Sequence, residues 1–334
     1  MQHVIKKRLM LSIFLCSLFG FCLFTTVSDV SAKAPVYVAI GDSITEGTGM
    51  DDPKDGFVTR FANKLKQDEP DLTYYNYGKS GHTVNDTINL IKSDPVLKKR
   101  LKEADYITIT DGGNDALAFA TKTGKKLTRQ NYKKATRIPP VLKNKLVSDV
   151  MFSYLKRAST QKKLNVFYKQ FSDDYNTLIE LLRELNPDAL LLTQTIYNPV
   201  SGSDYGALAD SVDLVLSSMN PIISEATYEE ENAALLDTYQ LFYKNAPRYI
   251  RVEKEDIHPT KLGHETIAEG LYQLVVNPAK ETLAPIENKT ASVTEDVTTT
   301  KQSRSADTIL LSTAALLYGG LLFLVLLFTI RKMW

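Results

Sequence analysis

Between Pro35 and Asn277, short β-branched runs alternate with longer stretches of helical period, and this alternation narrows the available folds more than any other feature. A strand buried on both faces reads as a compact apolar run, and parallel strands need long crossovers to join them. Runs at residues 36–40, 73–77, 106–110, 189–196 and 234–237 therefore predict a parallel sheet covered by helices. The clearest helices are expected at 166–185, where Phe171, Tyr175, Leu178, Leu182 and Leu185 recur at helical spacing behind a cap at Asn165, and at 259–276. No internal repeat is apparent.

Two apolar runs frame this region. Lys6, Lys7 and Arg8 precede residues 9–27, and Val30, Ser31 and Ala32 place small residues where a signal peptidase reads, so residues 1–32 are expected to be a secretory signal. An uncleaved anchor is the alternative. Cys16 follows Leu15 and Cys22 follows Phe21, neither being the small residue that a lipoprotein signal carries. These are the only cysteines, so the chain beyond them has no thiol for a disulfide, a cysteine zinc site or a cysteine nucleophile. Residues 308–330 run 23 positions without a charge. At about 1.5 Å per residue a helix there spans the roughly 30 Å hydrocarbon layer. Arg331 and Lys332 follow at once, which places the tail 331–334 in the cytoplasm and the middle of the chain outside. Residues 279–307, rich in Thr, Ser, Lys and Glu, have the composition of a disordered stalk. The expected layout is thus a folded unit over 33–278, held at the cell membrane by one C-terminal helix.

The net charge of +1 conceals an asymmetry. Residues 116–170 hold fourteen Lys or Arg against one acid, Asp149, so this basic insertion carries +13 and the rest of the chain −12. It is either a cap that attracts an anionic lipid or surface polymer, or a solvated helical face. No nucleic-acid partner is read from it.

The chemistry lies in four polar turns. The first strand ends in Gly41-Asp42-Ser43-Ile44-Thr45, which puts a serine at a strand's carboxyl end, where open α/β sheets build their sites. Far downstream, Glu255-Asp256-Ile257-His258-Pro259-Thr260 supplies carboxylates just before a histidine. An acid three residues ahead of His258 can hold its Nδ1 and aim Nε2 at the serine, which favours Glu255 over its neighbour Asp256. Asn76-Tyr77-Gly78-Lys79-Ser80-Gly81 and Gly112-Gly113-Asn114-Asp115 follow the second and third strands. They offer the Gly81 N–H and the Asn114 amide which, with the Ser43 N–H, make three donors for an oxyanion. His82 is placed to line the pocket or to bond locally. His264, six residues after His258, falls on another helical face, so the two cannot clamp a metal, and no metal site is indicated.

In order and register, these four blocks resemble the GDSL or SGNH hydrolase family over residues 36–275. The resemblance implies a three-layer α/β/α sandwich with five parallel strands, flavodoxin-like. It implies Ser43 as nucleophile, His258 as general base, an oxyanion hole of Ser43, Gly81 and Asn114, and no cofactor. Two positions depart from the pattern. The family usually carries Asp three residues before the histidine, where this chain has Glu255, and an apolar or small residue where it has Asp111. The expected function is serine-dependent hydrolysis of carboxylic ester or thioester bonds in lipid or acylated substrates outside the cell. Removal of O-acetyl groups from a wall or surface glycan is a second enzymatic reading, and a catalytically silent surface-binding module a third, against which the intact Ser43, Gly81, Asn114 and His258 argue. An ordinary α/β-hydrolase fits less well, because Thr45 stands where its nucleophile turn wants glycine.

Overall fold

The computed structural model describes residues 33–128 and 145–278. Its strands are β1 Val36–Gly41, β2 Thr73–Gly78, β3 Tyr106–Ile109, β4 Leu190–Gln194 and β5 Ala233–Leu236. The helices, in chain order, are α1 Ser43–Glu46, α2 Phe57–Asp68, α3 Val84–Ser93, α4 Pro95–Glu103, α5 Gly113–Thr128, α6 Lys145–Leu155, α7 Ala158–Leu185, α8 Gly206–Tyr228, α9 Thr238–Phe242, α10 Ala246–Tyr249 and α11 Lys261–Val276.

All strand pairs are parallel, in the order β2-β1-β3-β4-β5. The alternation within β1 explains the three layers. Val36, Val38 and Ile40 face a core shared with α3, α4, α7 and α8, through Ile88, Leu97, Phe171 and Met219 among others. Tyr37 and Ala39 face the opposite core, where Phe57 and Phe61 of α2 and Ile267 and Leu271 of α11 close over the sheet. The expected α/β/α sandwich is therefore the observed fold. Successive connections leave β1 toward β2 and then cross to β3, so the crevice at the carboxyl end of β1 is the topological switch point.

Three boundaries differ from expectation, each for a local reason. β4 stops at Gln194 because the Asn220 side chain takes over the backbone of Ile196, accepting from its N–H at 2.8 Å and donating to its carbonyl at 3.0 Å. α7 begins at Ala158 and runs through Asn165, since Thr160 and Leu164 are already buried. α11 begins at Lys261, where Thr260 Oγ1 accepts the Gly263 N–H at 3.1 Å as an N-cap. The basic stretch is no separate unit where described: it continues α5, forms α6 and supplies the first half of α7. Its residues 129–144 lie outside the described residues, as do the expected signal, stalk, terminal span and tail. Among the described residues, no helix is long and apolar enough to cross a membrane.

Candidate active site

The site is built from loops at the carboxyl ends of the strands. β1 ends at Gly41, and Asp42 caps α1 by accepting the Ile44 N–H at 2.9 Å, which makes Ser43 the first helical residue. The turn after β2 is tied to this helix. Asn76 Nδ2 donates to the Thr45 carbonyl at 2.7 Å, the Lys79 N–H donates to the Gly41 carbonyl at 3.0 Å, and the Ser80 hydroxyl donates to the Glu46 carboxylate.

His258 reaches Ser43 from the far end of the sequence, with Nε2 2.9 Å from the serine Oγ. Its Nδ1 lies 2.6 Å from Asp256 Oδ1, and the same oxygen accepts the His258 backbone N–H at 3.1 Å. With Nδ1–H donating to the carboxylate, the Nε2 lone pair is left to accept the serine hydroxyl proton. The acid in contact is thus Asp256, not Glu255 as the spacing favoured. Glu255 adopts a left-handed backbone, φ 60°, at the end of a short 3-10 turn, and this twist turns Asp256 toward the ring. Tyr197, at the end of β4, donates its hydroxyl to the Ile257 carbonyl at 2.8 Å and so steadies the histidine loop.

In the turn after β2, Gly81 has φ 81°, a left-handed conformation that other residues adopt only with strain. Asn114 is the second residue of α5. Its Nδ2 donates to the His82 carbonyl at 2.9 Å and approaches Asp42 Oδ2 at 3.5 Å, bridging the Gly81 loop to the nucleophile turn. A serine activated by a carboxylate-oriented imidazole, with donors from two further turns beside it, is an arrangement suited to acyl transfer.

The chain matches the GDSL-like lipase/acylhydrolase family over residues 39–266, a span that contains every one of these turns. It belongs to that family. It is a hydrolase that acts on esters, and two curated relatives extend the match along most of the folded unit. YpmR of Bacillus subtilis is 27% identical over 242 residues, covering 72% of this chain and 81% of that protein. The spore germination lipase LipC of Bacillus licheniformis is 25% identical over 243 residues, covering 70% and 93%. Among solved structures, a lipase from a goat rumen metagenome is 23% identical, covers 71% of this chain and 95% of its own, and superposes with a TM-score of 0.49.

Around these turns, this GDSL-like hydrolase buries three acids that sequence reasoning did not connect, although Asp42 and Asp115 stand in the polar blocks and Asp111 directly precedes one. Burial pushes Asp42 up to about 7, against the hydrogen bonds it accepts from the Ile44 N–H and the Thr110 hydroxyl. Burial likewise raises Asp115 to about 7, although it accepts the Val84 N–H at 3.2 Å. Asp111, 1% exposed, is raised well above the usual carboxylate range, first by burial and then by the Asp42 charge. Neither of its oxygens lies within hydrogen-bond geometry of a partner, and it faces Thr87 and Tyr175. Burial favours the neutral form of a carboxyl so placed, which is how a charged residue type occupies a position that is usually apolar.

Two further histidines, His82 and His264, lie among the described residues. His264 is buried, accepts the Phe57 N–H at Nδ1 (3.2 Å) and donates from Nε2 to the Thr48 carbonyl (3.2 Å). Burial lowers its pKa to about 4, so it is neutral. His82 serves the site through its carbonyl. Among the described residues no cluster of His, Cys, Asp or Glu has the makings of a metal site.

Proposed function

We propose that this chain is a serine-dependent esterase of acyl lipids that works outside the cell from a membrane anchor. The observation that carries the chemistry is the 2.9 Å contact of Ser43 Oγ with His258 Nε2, aligned by the 2.6 Å contact of Nδ1 with Asp256. In this reading Ser43 Oγ attacks the ester carbonyl while its proton passes to His258 Nε2. The Ser43 and Gly81 N–H groups and the Asn114 amide stabilise the tetrahedral oxyanion, Asn114 exchanging its bond to the His82 carbonyl for one to substrate. His258 then protonates the departing alcohol, leaving an acyl-serine. In the second half His258 takes a proton from water, the hydroxide attacks the acyl carbon, and Ser43 regains its proton.

Two observations support a lipid rather than an acetylated glycan. LipC, a relative over most of the folded unit, is a spore germination lipase. A row of aromatic rings also leads away from the oxyanion turn. Phe171, itself buried, packs under Gly112, Phe167 lies 6.4 Å from Phe171, and half-buried Phe119 stacks on Phe167 at 4.8 Å, so that Phe167 and Phe119 offer an acyl chain a partly exposed apolar ledge. The anchor and the outside location rest on the apolar runs at both ends and their basic flanks. Residues 145–170, with six Lys or Arg against Asp149, suit an anionic lipid surface.

A panel of p-nitrophenyl esters from acetyl to palmitoyl, given to the soluble folded unit, tests the proposal. We expect turnover to rise beyond acetyl, a fluorophosphonate to label Ser43, and Ser43→Ala to be folded and inactive. Turnover confined to acetyl esters would favour the glycan reading, and full activity in Ser43→Ala would end the serine assignment.

A further inference from the structure

Asp256 stands only two residues before His258, so one of its oxygens, Oδ1, meets both the ring Nδ1 and the backbone N–H of His258. The other, Oδ2, faces Arg251, with Nε at 3.3 Å. This is an ion-pair contact off the angle of a hydrogen bond, and the two side chains are only 28% and 22% exposed. From the same guanidinium, Nη1 donates to the Gly49 carbonyl at 2.5 Å. Gly49 belongs to the loop that follows the nucleophile helix, and it passes so close to the base that a Cβ there would lie 2.4 Å from the Pro259 carbonyl oxygen and 3.3 Å from His258 Cβ. The Arg251 backbone closes the other side of the histidine loop, since its N–H donates to the His258 carbonyl at 3.0 Å and its carbonyl accepts the Asp256 N–H at 3.2 Å.

We infer that Arg251 is a positioning residue for the hydrolytic reaction proposed above, clamping the Asp256 carboxylate against His258 and locking the histidine loop to the nucleophile loop at Gly49. Its side chain holds the one carboxylate oxygen that the short Asp-Ile-His spacing leaves uncommitted, and its fork spans the seam between the two halves of the catalytic pair. The other groups around the base do not substitute for it. His264, behind the Thr48–Gly49 loop, is neutral, and Arg60 is paired with Glu265. The Tyr197 hydroxyl is spent on the Ile257 carbonyl, Asp42 sits on the nucleophile side, and the Glu255 charge is felt by Tyr205. Among the described residues, Arg251 is thus the cation in contact with the Asp256 carboxylate.

This inference rests on the reading of Ser43 and His258 as the reacting pair, so its test includes a readout that needs no substrate. In Arg251→Met, kcat is expected to fall about tenfold or more with KM little changed, as for a contact felt mainly in the transition state. Without the cation, the imidazolium beside Asp256 is favoured. The His258 titration followed by NMR, and with it the acidic limb of kcat/KM, should then move to higher pH. Arg251→Lys keeps the charge and loses the fork, so the titration should return toward wild type while kcat stays depressed. It carries the test should the methionine variant not fold. A His258 titration unmoved in Arg251→Met, or a kcat in Arg251→Lys equal to wild type, would overturn the inference. Inactivity of the wild type on every ester, with the NMR shift present, would instead overturn the proposed reaction and leave the clamp standing.

Discussion

Asp256 meets His258 through a geometry that depends on its neighbour. Glu255 holds a left-handed φ of 60°, and the chain emerges from that turn with the Asp256 carboxylate on the ring. Asp256→Asn should therefore cut kcat severely, by something like the 10⁴-fold seen when a triad acid is amidated, because the wrong histidine tautomer is then favoured. Glu255→Gln should leave it within a few-fold, and steady-state kinetics on a small ester decides between them. The turns that carry Ser43, Gly81, Asn114 and His258 were legible in the sequence because each follows a strand or precedes the last helix. The acid was not, since the choice between two adjacent carboxylates rests on one backbone angle that residue types do not encode. Arg251 was equally hidden. Its partners are a carbonyl 202 positions away and a carboxylate reached around a turn, and neither leaves a motif.

The elements were read well where burial sets the pattern and less well at their ends. β1 and β3 fall within a residue of their apolar runs, since strands covered on both faces must be apolar, and the edge strand β2 is marked instead by its three tyrosines. The start of α7 was missed because the charged residues Lys162 and Lys163 break the visible period there, while buried Thr160 and Leu164 keep the helix going. α11 opens directly after the base, and its cap matters for stability more than for chemistry. Thr260→Ala removes the side-chain acceptor of the Gly263 N–H and should destabilise the folded unit by about 1 kcal/mol. Thr260→Ser should retain most of that, and urea unfolding midpoints with an unchanged kcat for both variants would bear this out.

For the molecule as a whole, the parallel order β2-β1-β3-β4-β5 brings the loops after β1, β2 and β3 and the one before α11 to one rim, and the same rim buries acids that act on stability with pH. A carboxyl whose folded pKa is raised binds more protons in the native state, so its contribution is lost as pH climbs from the unfolded value near 4 through the folded one. For Asp42 and Asp115 that window closes at about 7, and Asp111, raised by burial, acts in the same direction. His264, lowered to about 4, works oppositely between about 4 and its ordinary value of 6.5, as one group against three. The urea midpoint should therefore fall between pH 6 and pH 8. Asp111→Asn, a neutral isostere, should fall less and overtake the wild type as pH rises, and parallel curves for the two proteins would refute this. The contact between Ser43 and His258 spans 215 positions of sequence. A nascent chain halted at residue 250 would already contain the nucleophile and both oxyanion turns yet lack the base, so synthesis must deliver nearly the last helix before any ester can be cut. The order of manufacture thus keeps the unfinished enzyme harmless to esters of the cell that makes it.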